Sequence, residues 1–245
     1  MNLNFAYNAS KIEKLTVYDG PPENTWVKTG YTSSSRHAQY HKVGNTPNTY
    51  YLAKQAYDEN GKPLEKFYNP AYDPSVAGSQ EFVNDDGADA NKRDTKKSSL
   101  VPYYGGFSTQ LKYKAWDLGS NMHYAFGQYI YWETMSSGSN NSFFDASNQY
   151  PTNTFRGWAP EWAKQHYFSD YWLFKGDYFK IDNIAIGYTF NNIFKYKSSL
   201  RIGTGIQNVA TITNYPGVDP EVYSGIDGSS TPKQRMYMIS LNLKF

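Results

Sequence analysis

The sequence predicts an all-β chain, a segment of an antiparallel transmembrane β-barrel of about seven strands with long extracellular loops. Three observations predict it. Stretches of strand length alternate between polar and apolar residues, aromatic residues gather near strand ends, and the connections are either very short or very long. The final stretch alternates without a fault. Tyr237, Ile239, Leu241, Leu243 and Phe245 fall on one face, and Met238, Ser240, Asn242 and Lys244 on the other, because strand side chains change face with period two.

The predicted strands follow in order. The first covers residues 3–9. A second covers 49–57 and ends at the turn signal Asp58-Glu59-Asn60-Gly61. The third covers 106–114, with Phe107, Thr109, Leu111 and Tyr113 on one face and Ser108, Gln110, Lys112 and Lys114 on the other. A tight turn returns the chain as a fourth strand over 118–132. Its end, Tyr129-Ile130-Tyr131-Trp132, occupies the expected place of an interfacial aromatic girdle. The fifth, sixth and seventh cover 179–190, 200–209 and 235–245. Connections at 115–117 and 191–198 are short, whereas 58–104, 134–177 and 212–233 are long. Outer-membrane barrels place short turns on the periplasmic side and long loops outside. This scheme leaves the long segment 11–48 on the short-turn side, against that rule.

Composition narrows the function classes. Mean hydropathy is −0.72, yet 18% of residues are aromatic, including 24 Tyr. Disordered chains are polar but poor in aromatics, so a polar average fits strands apolar on one face only. Twenty-four basic residues against 22 acidic ones give a net charge of +2, too balanced for a nucleic-acid partner. With no cysteine there is no disulfide and no thiolate metal site. No apolar run of about 18 residues is present, which excludes a transmembrane helix within this sequence. No signal peptide precedes the first strand, so the simplest expectation is the C-terminal part of a longer protein.

Candidate chemistry is sparse. His37 and His41 are spaced i, i+4, which converges on a metal only in a helix, and nothing around them is helical. Asp85, Asp86 and Asp89 miss the EF-hand spacing, since the twelfth residue from Asp85 is Lys96. No phosphate loop and no nucleophile elbow occurs. The expectation is therefore no enzyme, no metal and no cofactor. The aromatic loop with Trp158, Trp162, Tyr167, Tyr171 and Trp172 is the candidate contact for ligand or partner, the alternative being packing of the loop on itself.

Several ordered fragments resemble the C-terminal barrel portion of the SusC/RagA family of TonB-dependent outer-membrane transporters. Pro102-Tyr103-Tyr104-Gly105-Gly106-Phe107-Ser108, continuing to Trp116-Asp117-Leu118, is similar to the family's P-x-Y-G-G-F-S hairpin. Trp158-Ala159-Pro160-Glu161 resembles its W-T-P-E loop. Residues 177–190 resemble S-Y-L-R-L-R-N-V…G-Y-T-F, and Gly217-Val218-Asp219-Pro220-Glu221 resembles G-Y-D-P-E. The closing Ser240-Leu241-Asn242-Leu243-Lys244-Phe245 is similar to G-L-N-L-T-F.

The resemblance implies a barrel of about 22 strands around a plug, in the outer membrane of a Gram-negative bacterium. It implies import of glycans or peptides, energy from the TonB complex through a missing N-terminal part, and a SusD-like surface lipoprotein as partner. The lipids of the outer membrane surround the wall. The strand bearing Tyr237, Ile239, Leu241, Leu243 and Phe245 would serve as the signal for the barrel-assembly machinery. Residues 1–245 then form one piece of barrel without plug, TonB box or signal peptide, not competent alone. The alternative is a self-contained small outer-membrane or surface β protein for ligand binding or envelope structure.

Overall fold

The computed structural model describes residues 1–15, 26–32, 36–84, 91–138, 168–193, 198–228 and 231–245. In chain order the elements are β1 (Asn2–Tyr7), β2 (Trp26–Tyr31), β3 (His37–Lys42), β4 (Thr49–Ala53), β5 (Gln55–Tyr57), β6 (Pro63–Tyr68), β7 (Phe82–Val83) and β8 (Lys92–Ser98). There follow β9 (Tyr103–Tyr113), β10 (Trp116–Phe126), β11 (Tyr129–Tyr131) and α1 (Glu133–Gly138). A 3-10 turn (Asp170–Trp172), β12 (Leu173–Lys175), β13 (Tyr178–Asn191), β14 (Ser199–Thr213) and β15 (Met236–Lys244) complete the described chain.

Six strands form one antiparallel wall in the order β1-β9-β10-β13-β14-β15. Its register sorts the side chains as the alternation predicts. Tyr113, Trp116, Tyr188, Ile202 and Leu241 form one cross-strand row, and Leu111, Leu118, Ile186, Thr204 and Ile239 the next. On the opposite face Ser108, Asn121, Asn183 and Gln207 make a polar row. The apolar face is open: Leu241 is 70% exposed and Ile239 83%. An apolar surface of that extent belongs against lipid or another chain.

The polar face is fastened by an ion pair that crosses a strand. Arg201 on β14 reaches over β13 to Asp117 on β10, its Nε donating to Oδ2 at 2.8 Å and its Nη2 to Oδ1 at 2.5 Å. Gly187 on β13 makes room, since a Cβ there would lie 2.3 Å from the guanidinium.

Wall strands are joined at one end by short connections, Lys114–Ala115 and residues 192–198. At the other end the chain leaves in three long excursions, residues 8–102, 127–177 and 214–235. These pack together into a lobe that holds the buried core. Tyr50 and Leu52 come from the first excursion, Ile130, Tyr131, Trp132, Phe168 and Trp172 from the second, and Tyr215 from the third. Within the lobe β2-β3-β4-β8 form one sheet, β5-β6-β7 a second and β11-β12 a third.

Two predicted strands are replaced here. Residues 49–57 do not join the wall; they break at Lys54 into β4 and β5 of separate lobe sheets. Tyr50, Leu52, Ala53, Gln55 and Ala56 are all buried, so both faces are covered and a lipid-facing alternation has no place. Residues 118–132 end as a wall strand at Phe126. Gly127, at φ +94°, turns the chain, and its N–H donates to Asp177 Oδ1 at 2.6 Å. Ile130, Tyr131 and Trp132 are consequently lobe core, not an exposed girdle. Removing 49–57 from the wall also changes the parity of the connections. The segment 11–48 becomes part of one excursion with 49–102, at the same end as the other long connections.

Candidate functional site

The densest cluster of charged groups lies where the third excursion meets the polar face of the wall. Each contributor is positioned by local geometry. His123 sits on β10 in register with Lys180 on β13. A bulge in β13 leaves Asp182 as an extra residue, with Asn121 opposite Asn183 and Met122 opposite Ile181. Bulges re-aim side chains, and here Asp182 Oδ2 comes within 2.7 Å of His123 Nδ1. From the excursion, Asp219 Oδ1 accepts the N–H of Glu221 at 2.9 Å, an Asx turn that fixes the Asp219-Pro220-Glu221 corner.

Glu221 is the centre. Its Oε1 lies 2.8 Å from His123 Nε2 and accepts from the Tyr178 hydroxyl at 3.4 Å. Its Oε2 accepts from the ammonium groups of Lys180 and Lys233. Lys233 also pairs with Asp219 at 3.2 Å. Burial raises the Glu221 carboxyl, but the hydrogen bonds from Lys180, Lys233 and His123 outweigh it and hold the group at about 2. The Lys233 ammonium, although burial opposes its charge, is held above the ordinary lysine range by Glu221, Lys180 and Asp219.

Two open clefts meet at Glu221. One, of about 440 Å³, is lined by Lys180, Asp182, Asn183, Gln207, Asn208 and Lys233 along the wall. The other, of about 820 Å³, opens into the lobe between Tyr31, Gln39, Asn48, Glu133 and Tyr223. Together they form a hydrogen-bonding lining running from lobe to wall. Such a lining can hold a polar ligand; it offers no activated nucleophile. Among the described residues no group of three or more His, Asp or Glu is arranged to hold a metal ion.

A second junction locks the lobe. The Tyr50 hydroxyl donates to the carbonyls of Tyr129 at 2.8 Å and Gly225 at 2.7 Å, joining all three excursions. Burial pushes this phenol above its ordinary range. Gly225, at φ +75°, has no space for a side chain, as a Cβ would lie 2.2 Å from Ser99 Cβ. The Gln39 amide donates to the Ser224 carbonyl at 2.9 Å, and Tyr215 donates to Asp227 Oδ2 at 2.5 Å.

Of the predicted contact aromatics, Trp158, Trp162 and Tyr167 lie outside the described residues, as do Asp85, Asp86 and Asp89. Tyr171 and Trp172 are buried at 4% and 1% exposure in the lobe core. Tyr237, Ile239, Leu241 and Leu243 stand exposed on β15, an outermost strand of the wall, with Phe245 just beyond it. His37 and His41 lie on β3, where a spacing of four separates them by roughly 13 Å. From sequence Glu221 enters only as a letter of the Gly217-Val218-Asp219-Pro220-Glu221 motif, and nothing local points to His123. Their pairing spans 98 positions.

No family model matches the chain. The TonB-dependent receptor SusC of Bacteroides thetaiotaomicron is 29% identical over the whole of this chain, which spans 24% of that relative. The TonB-dependent receptor P3 of Formosa agariphila is 30% identical over 57% of the chain and 16% of its own length. Along its whole length the chain is similar in sequence to TonB-dependent receptors of the SusC kind. A solved structure of the RagAB peptide transporter matches 99% of this chain with a TM-score of 0.74 at 19% identity, and the match covers 27% of that structure's chain. That likeness carries the fold. The chain spans about a quarter of the relatives it matches end to end.

Proposed function

We propose that the chain is the C-terminal part of the barrel of an outer-membrane importer for glycans or peptides, and that it works only within a complete receptor. The wall supplies part of the channel. The three excursions form an extracellular lobe that contacts ligand or a SusD-like surface lipoprotein. A plug and a TonB box elsewhere in the receptor take energy from the TonB complex, lipids of the outer membrane cover the apolar face, and the barrel-assembly machinery reads the strand from Tyr237 to Phe245. The chain is a transport component and not an enzyme.

The observation that carries this reading is the open six-stranded wall, apolar on one face, with every long excursion at one end. β1 and β15 are the outermost strands of that wall and do not pair with each other. This favours a piece of a larger barrel over the self-contained small barrel, because unpaired strand edges are not tolerated in hydrocarbon.

The test uses the complete receptor with alanine at Trp158 or Trp162. The expected result is weakened binding of substrate or lipoprotein, with normal heat-modifiable migration of the barrel in the outer-membrane fraction. Unchanged binding in both variants would remove the aromatic loop from the proposal. Recovery of the receptor outside the outer membrane would remove the importer reading itself.

A further inference from the structure

The lobe carries a cation cluster that neither the wall nor the Glu221 junction uses. Lys54 lies between β4 and β5, and Arg93 and Lys97 lie on β8. Chain pairing brings them together. Arg93 is in register with Leu52 on β4, two residues before Lys54, and its Nη2 donates to the Tyr68 carbonyl at 3.0 Å. The Lys54 carbonyl accepts the Tyr68 N–H at 2.9 Å, and the Lys54 ammonium stands 4.7 Å from the centre of the Tyr68 ring. Lys97 stands 5.0 Å over the ring of Tyr129.

All three act electrostatically on one half-buried carboxylate, Asp170, whose Oδ1 accepts the N–H of Gln55 at 2.9 Å. Among the described residues none of the three makes an ion pair with a carboxylate at contact distance. The Nε of Arg93 is enclosed without an acceptor, so that guanidinium is not fully satisfied by the protein. Neighbouring Lys96 differs, since it is paired with Asp94 at 2.6 Å. Three cations against one carboxylate leave a local surplus of two positive charges. Concentrated like charge focuses a field that attracts the opposite sign.

We propose that Lys54, Arg93 and Lys97 form an oxyanion-binding site on the lobe, which takes the sulfate, phosphate or carboxylate groups of an anionic saccharide, either a soluble polymer or the headgroup of a surface lipid. Arg93 is anchored by Tyr68 and supplies fixed charge. Lys54 and Lys97, on flexible stems over aromatic rings, supply the groups that reach the ligand. The placement on the outside of the cell rests on the importer reading above; the binding itself does not.

The experiment uses the complete receptor, purified in uncharged detergent, with three probes: dextran sulfate oligosaccharide, unsulfated dextran and vesicles containing lipid A. Titration calorimetry at low and high salt compares the wild type with the double variant Lys54→Gln/Lys97→Gln and with the control Lys96→Gln. Both lysines of the double variant sit at the lobe surface, and heat-modifiable migration verifies that the barrel is assembled. The wild type should bind at least one anionic probe, more weakly as salt rises, and should not bind unsulfated dextran. The double variant should lose at least tenfold, while the control keeps its affinity. A loss confined to dextran sulfate identifies a soluble polymer, and a loss confined to lipid A vesicles identifies the lipid source. Affinity for both anionic probes within twofold of wild type in the double variant would overturn the site. So would equal loss in the control. Because the readout is binding by purified receptor, it stands even if transport of glycans or peptides is disproved.

Discussion

Replacing Glu221 by Gln tests the junction of lobe and wall most directly. The substitution keeps the shape and removes the charge that receives His123, Tyr178, Lys180 and Lys233. Lys233 is half-exposed and keeps Asp219 at 3.2 Å, so its loss is worth only about 0–1 kcal/mol. Lys180 decides the outcome. Its side chain is 5% exposed and its ion pair is with Glu221, so the variant strands a buried ammonium. Breaking one partner of a buried pair costs about 3–5 kcal/mol. Glu221 itself is partly exposed, which puts the estimate at the lower end, near 3 kcal/mol. Because 1.4 kcal/mol is about tenfold in an equilibrium, the opening of residues 217–224 should become about 100-fold more frequent.

Hydrogen exchange on the complete receptor measures this. The third excursion should lose protection while β13 and β14 keep theirs, since wall pairing is untouched. A pH series adds a second signature with a definite sign. The folded carboxyl, at about 2, lies below its ordinary value of 4.5. Its contribution is therefore complete above about 4.5 and disappears as pH falls toward about 2. Wild-type protection at 217–224 should weaken across that window, and the Gln variant should show no such step. Exchange within threefold of wild type at neutral pH would refute the argument, because it would mean that the pair does not hold the excursion to the wall.

Two further expectations follow from the packing. Tyr50→Phe removes the hydroxyl shared by the Tyr129 and Gly225 carbonyls and should destabilise the lobe by about 1–3 kcal/mol, read as earlier proteolysis of the excursions with an intact barrel band on gels. Ile239→Arg places a charge on the apolar face, in the row shared with Thr204 and Ile186, further from the short-turn end than the Tyr113–Trp116 row; it should cost about 2–4 kcal/mol, measured by urea unfolding of the receptor in lipid vesicles, whereas Asn242→Arg on the polar face should cost far less.

What was legible in the sequence follows from what each part of the chain must satisfy. A wall strand meets two different surroundings at once, so residues 106–114 and 235–245 show their alternation openly and their faces were assigned correctly. The lobe is different. Its core draws Tyr50, Tyr131 and Trp172 from three separate stretches whose average composition is polar. No local window reveals that these side chains meet. The stretch 49–57 looked like a wall strand because it is rich in Tyr and apolar residues, yet that richness reflects burial on both sides. The Glu221 site was hidden for a related reason. Its Asx corner is written locally in Asp219-Pro220-Glu221, but His123 and Lys180 join only after β10 and β13 pair across a bulge.

The same contrast separates the two halves of the molecule physically. The lobe is tied within this chain: Tyr50, Gln39 and the backbone bonds from Tyr131 and Thr134 link the three excursions to one another. The wall is left open. Its outermost strands, β1 and β15, each have one neighbour, leaving a row of N–H and C=O groups that only further strands can pair. Its apolar face is equally open. The lobe is therefore held by contacts within this chain, whereas the open edges and open apolar face of the wall call for partners outside it. The Glu221 cluster is where the two meet, and it fastens a lobe tied within the chain to a wall whose edges are open.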